Sequence, residues 1–298
     1  MQNLLAPGHR ACAGCSMPIV IRLVLDAAGP NTIVVSPTSC LEVTTTPFPE
    51  SAWEVPWIHS LFENAAAVAS GVEVVMKRQC KDTNVLVIGG DGSTFDIGMG
   101  SNSGMFERGH KITYICYDNE AYMNTGVQRS GSTPFCAITT TTPAGELSLG
   151  NPRPKKDMPA IALAHGVPYV ATASIAYPVD LRKKVKRALQ VKGPSYIQVN
   201  APCITGWTYD TGNTIEIARL AVETGLLPLF EYLNGELGEV KKIRRPKAVD
   251  EYLKVQGRFR HLYKQPGGAE IIATRGSGWL CIGAGGAVVS SLVVEDQD

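Results

Sequence analysis

The chain has 298 residues, and a chain of this length can bury roughly 75% of its unfolded surface, so one large α/β domain or two small ones would fit. Its 28 basic and 27 acidic residues leave a net charge of +1, so no overall field attracts nucleic acid or a membrane surface. The N-terminal residues lack the apolar core of a secretion signal, and no uncharged stretch predicts a membrane helix. We therefore expect a cytoplasmic protein.

Apolar runs alternate with helical patterns through the first two thirds of the chain. In chain order, the patterns predict a helix near 16–28, a strand at 32–36, a helix near 61–78, strands at 84–89 and 112–119, a helix at 159–165, a strand at 168–174, a helix at 180–191 and a strand at 195–200. This rhythm predicts an α/β fold with a doubly wound, mostly parallel sheet. From about Ala201 the chain becomes charged and rich in turn residues. We expect an α/β domain at 1–204 and a C-terminal extension at 205–298, packed on that domain or on partner subunits.

Two of the predicted strands end in oxygen-bearing side chains. Gly90-Asp91-Gly92 closes the strand at 84–89, and Asn119 follows after 26 intervening residues, at the end of the next strand. Parallel strands place such residues together at the sheet edge where α/β proteins bind ligands. A carboxylate, an amide oxygen and a nearby carbonyl suit a Mg²⁺ that also takes diphosphate oxygens. The spacing resembles the signature for Mg²⁺ and thiamine diphosphate.

Four of the eight cysteines form a second candidate site. Cys12 and Cys15 lie in one turn, and Cys40 and Cys203 follow predicted strands at the edge that carries the predicted metal site. Four thiolates can hold a [4Fe–4S] cluster or a structural zinc, and the spacing does not distinguish them. A neighbouring thiamine site favours the cluster, because a thiamine-bound carbanion can give up electrons that zinc cannot accept. The remaining cysteines are predicted to be core or bystander residues: Cys80, Cys116, Cys136 and Cys281.

Several other segments have competing interpretations. The polar segment 124–156 is long for a loop, and we favour a loop that closes over the cofactor above an ordinary surface loop. The glycine-rich run 98–104 misses a dinucleotide fingerprint by one residue and instead predicts a helix start over the diphosphate. His59 and Glu63 are expected at a helix start, in packing, capping or solvated roles. The basic run 241–247 predicts a solvated surface or a subunit contact.

Taken together, the motifs resemble the β subunit of the 2-oxoacid:ferredoxin oxidoreductases, and the pyruvate enzymes most. The resemblance covers most of residues 7–265 and is carried by residues 8–15, 37–40, 47–64, 89–92, 117–126, 150–159 and 201–203. It implies a sheet of the thiamine diphosphate-binding type. Two features depart from the family. Met17 stands where single-chain relatives carry a glutamate that touches thiamine, and the tail after Thr274 lacks the expected charged helix.

The resemblance also implies roles for individual residues. Cys12, Cys15, Cys40 and Cys203 would hold the [4Fe–4S] cluster nearest the thiamine. The side chains of Asp91 and Asn119 and the carbonyl of Ala121 would bind Mg²⁺, and Asn124 would be catalytic, facing the substrate or the aminopyrimidine. The implied cofactor-binding residues are Cys40, Gly90, Asp91, Gly92, Ser93, Asn119, Ala121 and Asn124.

The implied reaction is the oxidative decarboxylation of pyruvate with coenzyme A to acetyl-CoA and CO₂, with electrons passing through the cluster to ferredoxin. Thiamine enzymes usually place the carboxylate that activates the aminopyrimidine in a second domain. This chain is long enough for one such domain, so we expect a partner chain that brings the carboxylate, and the resemblance implies α, γ and δ subunits. The alternatives are another 2-oxoacid (2-oxoisovalerate, 2-oxoglutarate or oxalate), a non-redox thiamine decarboxylase or synthase subunit with structural zinc, and an electron-transfer scaffold without chemistry of its own.

Overall fold

The computed structural model describes residues 3–275. The strands are β1 (Thr32–Pro37), β2 (Trp57–Ser60), β3 (Asn84–Gly90), β4 (Thr113–Asp118), β5 (Ala144–Gly145), β6 (Ser148–Leu149), β7 (Tyr169–Ser174), β8 (Ser195–Asn200), β9 (Phe230–Leu233) and β10 (Glu236–Val240). The helices are α1 (Met17–Ala28), α2 (Cys40–Thr45), α3 (Ala65–Arg78), α4 (Met99–Glu107), α5 (Met158–Ala164), α6 (Pro178–Gln190), α7 (Ile204–Trp207), α8 (Thr214–Glu223), α9 (Val249–Leu253) and α10 (Gly268–Arg275). The tail from residue 276, with Cys281, lies outside the described residues.

One sheet organises the molecule, with strand order β10-β9-β7-β8-β4-β3-β1-β2. The pairs from β7 to β2 are parallel, and β9 and β10 are added antiparallel at the β7 edge. Successive strand residues face opposite sides, and accordingly Leu86 packs under α1 and α6 while Val87 packs under α3, α4 and α5. This arrangement confirms the expected doubly wound, mostly parallel α/β fold. Within residues 3–275 no helix is long and apolar enough to cross a membrane.

The region before α3 differs from the sequence-based expectation. The helix predicted from residue 61 begins at Ala65, and β2 pairs parallel with β1 just before it. His59 therefore lies in an edge strand rather than at a helix start. Its ring stacks on Trp57 with centroids 5.9 Å apart, and its Nε2 is 2.8 Å from Thr38 Oγ1. Four residues bounded by a proline are too few to show the alternation that predicts a strand.

The described part of the C-terminal extension packs directly on the α/β domain. Its strands β9 and β10 complete the sheet, and its helices enclose a separate apolar cluster around Trp207, Leu253 and Phe259. Cys136 and Ala137 of the long polar segment join the same cluster. The boundary at residue 204 stays a prediction, because the sheet continues across it.

Candidate cofactor and metal site

Three oxygen atoms meet where β3 and β4 end. Gly90 and Tyr117 are register partners on these strands, which places the following Asp91 and Asn119 side by side. As placed, the amide oxygen of Asn119 lies 2.9 Å from Asp91 Oδ1 and 2.9 Å from the carbonyl oxygen of Ala121. With the amide turned over, its NH₂ would donate to both oxygens, so the three groups converge in either orientation.

The spacing and burial of these oxygens fit a magnesium ion. Neighbouring ligands of an octahedral Mg²⁺, each roughly 2.0–2.1 Å from the ion, are about 2.9 Å apart. Asp91 is 1% exposed and forms no ion pair within residues 3–275. Burial, and then the neighbouring Asp118, raise the pKa of Asp91 well above its usual range, while a hydrogen bond donated by Ser130 opposes the rise. A bound cation would supply the charge that the buried Asp91 carboxylate lacks.

One cavity contains every residue predicted to bind the cofactor. Its walls include Cys40, Gly90, Asp91, Gly92, Ser93, Asn119, Ala121 and Asn124. Sequence reasoning did not assign the other lining residues: Thr38, Ser39, Phe62, Tyr117, Tyr122, Met123 and Thr125. The ring of Tyr122 leaves no room for a side chain at residue 92, because a Cβ on Gly92 would lie 2.3 Å from that ring. Met17 is the first residue of α1, where it is buried in the core, and it does not line this cavity.

A buried turn supports the acidic residues of the site. Ser130 Oγ donates to Asp91, the Gly131 amide donates to Asp96 (2.7 Å), and Ser132 Oγ donates to Asp118 (2.5 Å). This turn belongs to the polar segment 124–156, which we expected to close over the cofactor. Within that segment only Asn124 and Thr125 line the cavity. Residues 130–132 do not reach the cavity and instead donate hydrogen bonds to the acidic side chains. Sequence reasoning missed both serines, because nothing near them in sequence indicates their acidic partners.

The four predicted cluster cysteines are neighbours in space. Burial, with smaller effects of the nearby Cys203 and Cys12, raises the pKa of Cys15 to about 11. Burial likewise raises the pKa of Cys40 to about 12, with added effects of Cys203 and Cys15. These mutual effects show that thiols from three separate segments lie together. Of the remaining cysteines in the described part, Cys116 is buried in the core, as expected.

Backbone amides point at three of the four sulfurs. The Met17 amide donates to Cys15, the Asn124 amide donates to Cys40, and the Thr205 and Gly206 amides donate to Cys203. Such hydrogen bonds stabilise thiolates and tune iron–sulfur clusters. Within residues 3–275 no three His, Cys, Asp or Glu side chains form a group that could hold a single metal ion as they stand.

The turn between Cys12 and Cys15 depends on Gly14. This residue has a φ of +76°, and a Cβ there would lie 2.4 Å from the carbonyl oxygen of Thr211. If these cysteines hold the [4Fe–4S] cluster that the sequence resemblance implies, Gly14→Ala should displace both of them and lower the iron content of the purified protein at least several-fold. Gly29→Ala is the matched control, since Gly29 has a φ of +78° but open space around it. Equal iron in both variants would contradict the expectation.

The chain is similar to known proteins along most of its length. Residues 38–199 match the family described as thiamine pyrophosphate enzyme, C-terminal TPP binding domain. Pyruvate synthase subunit PorB of Methanosarcina barkeri is 61% identical over 273 residues, which are 91% of this chain and 92% of that protein. Ketoisovalerate oxidoreductase subunit VorB of Pyrococcus abyssi is 47% identical over 266 residues, covering 87% of this chain and 86% of that one.

A solved structure shares the fold. One chain of the 2-oxoglutarate:ferredoxin oxidoreductase from Magnetococcus marinus superposes with a TM-score of 0.58 at 23% identity. The alignment covers 72% of this chain and 79% of that one.

Proposed function

This chain belongs to the family of pyruvate synthase subunit PorB, and we propose that it holds the diphosphate end of thiamine diphosphate, a Mg²⁺ ion and a [4Fe–4S] cluster in a pyruvate-oxidising complex. The observation that carries this proposal is the convergence of the Asp91, Asn119 and Ala121 oxygens at the carboxyl edge of the sheet. These residues lie inside the segment that matches the thiamine-binding family.

Each part of the cavity would have its own task. Asp91, Asn119 and Ala121 would hold Mg²⁺, and Gly90, Gly92 and Ser93 would border the diphosphate. When bound, thiamine diphosphate supplies the carbanion chemistry that releases CO₂ from a 2-oxoacid. Asn124 lines the cavity, and its backbone amide donates a hydrogen bond to the sulfur of Cys40. It therefore joins the cofactor site directly to the cysteine site.

The four cysteines would carry the cluster that takes electrons from the cofactor site. Three of them stand at or just before helix starts: Cys15 before α1, Cys40 at the first residue of α2, and Cys203 before α7. The positive end of a helix dipole and the backbone amides there favour bound thiolates. The amides that point at the sulfurs and the neighbouring thiamine site support a cluster above a structural zinc.

The site also requires a partner chain. No residue of the cavity is a glutamate, so the carboxylate that activates the aminopyrimidine would come from a partner α subunit. We propose that γ and δ subunits complete the complex, that ferredoxin accepts the electrons and that the complex works in the cytoplasm. The family membership supports this assembly, because a protein named as a subunit acts with others.

The substrate is tested with the purified complex. We expect coenzyme A-dependent ferredoxin reduction with pyruvate at least tenfold faster than with 2-oxoisovalerate or 2-oxoglutarate, because the relatives at 56–61% identity are pyruvate synthase subunits. The VorB relatives make 2-oxoisovalerate the second candidate. The isolated chain should turn over none of the three and should bind thiamine diphosphate poorly. Faster oxidation of 2-oxoisovalerate would refute the substrate assignment, and turnover by the isolated chain would refute the half-site.

A further inference from the structure

Glu120 lies between two of the proposed magnesium ligands and has an unusual backbone conformation. Its φ is +69°, in the left-handed region that residues other than glycine rarely adopt. Asn119 and Ala121 flank it, and the left-handed turn brings the amide oxygen of the first within 2.9 Å of the carbonyl oxygen of the second. The conformation that places these ligands therefore opposes the residue's own backbone preference.

The structure holds Glu120 in this conformation through two backbone hydrogen bonds and two ion pairs, of which the one with Lys155 is also a hydrogen bond and the one with Arg258 is a charge contact alone. Its backbone amide donates to Asp118 Oδ1 (3.1 Å), and its backbone carbonyl accepts a hydrogen bond from Thr133 Oγ1 (2.7 Å). Its carboxylate oxygens lie 2.9 Å from Lys155 Nζ and 2.7 Å from Arg258 Nη2. The residue is 7% exposed, so these contacts are made away from water, where they are strong.

Arg258 comes from the C-terminal extension and is itself fixed in place. It lies in the 3₁₀ turn Gly257–Tyr263 and is 4% exposed. Its guanidinium lies 3.8 Å from the ring of Trp207, and its Nε donates to Gln256 (2.9 Å). Trp207 in turn donates its Nε1 hydrogen to the Asn119 carbonyl (2.8 Å). The extension thus holds two consecutive residues of the loop that carries the ligands.

The charges of this arrangement balance. Lys155 also pairs with Asp118 at 2.6 Å, so two carboxylates and two cations form one buried group: Asp118, Glu120, Lys155 and Arg258. Removing one member of a buried pair leaves its partner uncompensated. The group lies beside the ligands but lines no part of the cavity, which separates it from the cofactor-binding residues.

We propose that Glu120 is a positioning residue of the metal site, held by Lys155 and by Arg258 of the C-terminal extension in the left-handed turn that brings the Asn119 and Ala121 oxygens together. This inference rests on the proposed function, because it concerns the site that would bind Mg²⁺ and diphosphate. It gives the extension a measurable effect on metal affinity as well as on folding.

The first test replaces Arg258 in the full complex. Arg258→Met keeps an apolar side chain against Trp207 but removes the charge. The Mg²⁺ concentration for half-maximal thiamine diphosphate binding, measured by titration calorimetry, should rise about tenfold while iron per complex stays constant. Arg187→Met is the matched control, because it breaks an ion pair with the buried Glu231 at the other end of the sheet. It should leave the Mg²⁺ requirement unchanged.

The second test isolates the backbone conformation. Glu120→Gly and Glu120→Ala are each combined with Arg258→Met, so both double variants lack the same ion pair. Glycine adopts the left-handed conformation freely and alanine does not. The glycine double variant should therefore bind Mg²⁺ about five- to thirtyfold more tightly than the alanine double variant. Arg258→Met alone leaves the Glu120 carboxylate without this partner, and the double variants remove both charges. The comparison of the two double variants therefore remains decisive even if Arg258→Met alone fails to assemble.

The outcomes separate the inference from the proposed function. If wild-type complex binds thiamine diphosphate without any need for Mg²⁺, the proposed metal site fails. If it needs Mg²⁺ and Arg258→Met binds Mg²⁺ normally, only the positioning role fails. Tighter Mg²⁺ binding by Arg258→Met also refutes the role. It would mean that the positive charge of Arg258 repels Mg²⁺ more strongly than its positioning of Glu120 favours Mg²⁺ binding. Equal affinity in the glycine and alanine double variants contradicts the proposed backbone mechanism.

Discussion

Replacing Cys40 by Ser is expected to remove the iron from the complex and to abolish ferredoxin reduction while the fold is retained. A serine hydroxyl is deprotonated far less readily than a thiol and is a poor ligand for iron. Cys40 also accepts a hydrogen bond from the Asn124 amide on the wall of the cofactor cavity, so its sulfur is the proposed cluster ligand tied most directly to the cofactor site. Iron per complex and the visible absorption that dithionite bleaches would be measured together with ferredoxin reduction.

The control for this variant is Cys80→Ser. Cys80 is an exposed free cysteine beyond the end of α3, so this change should leave both iron and activity intact. Thiamine diphosphate should remain bound in Cys40→Ser, because the oxygens of Asp91, Asn119 and Ala121 are untouched. Iron and ferredoxin reduction at wild-type levels in Cys40→Ser would exclude Cys40 as a ligand. Loss of zinc instead of iron would revive the structural zinc alternative.

The central sheet was predictable because its strands are buried on both faces. The runs that became β3, β4, β7 and β8 are mostly apolar or β-branched and are buried at nearly every position, which is the pattern of interior parallel strands. Once these strands were assigned, the residues at their ends could be predicted as well. Asp91 and Asn119 come directly after two such strands, and the structure places them within hydrogen-bonding distance of each other.

The edges of the sheet were not predictable from pattern. β10 reads Glu-Leu-Gly-Glu-Val, and its residues are largely exposed. Charged, short edge strands resist pairing with other chains, and the same composition makes them resemble loops. β2 was missed for a related reason, since four half-exposed residues give no periodicity to detect.

The residues that support the site escaped sequence reasoning because their partners are distant in the chain. Ser130 lies 39 residues from the Asp91 that it contacts, and Trp207 lies 88 residues from Asn119. Arg258 belongs to the charged extension, where sequence reasoning assigned it no role, yet it is 4% exposed. Only the folded arrangement shows that these side chains hold the ligand loop.

Replacing Asp91 by Ala should cause the largest loss at the cofactor site. The change removes the negatively charged ligand of the proposed Mg²⁺, and Asn119→Ala removes a neutral one. Both should lower thiamine diphosphate affinity, Asp91→Ala by more than the roughly 10–100-fold that follows loss of an outer-shell partner. Bound thiamine diphosphate and iron per complex would be measured on the same samples. The iron should remain, because no cysteine contact is altered.

Two further variants make this test specific. Asp26→Ala removes an acid of α1 whose partner is Arg182 at 3.0 Å, far from the strand ends, and it should leave cofactor binding unchanged. Ser130→Ala keeps the Asp91 carboxylate but deletes the hydrogen bond that orients it, so it should produce an intermediate loss that extra Mg²⁺ offsets. Normal thiamine diphosphate content in both Asp91→Ala and Asn119→Ala would overturn the metal assignment. Parallel loss of iron and thiamine diphosphate would not separate the two sites, because the Asn124 amide that donates to Cys40 also belongs to the cofactor cavity, and a melting curve of the variant would then distinguish unfolding from loss of ligands.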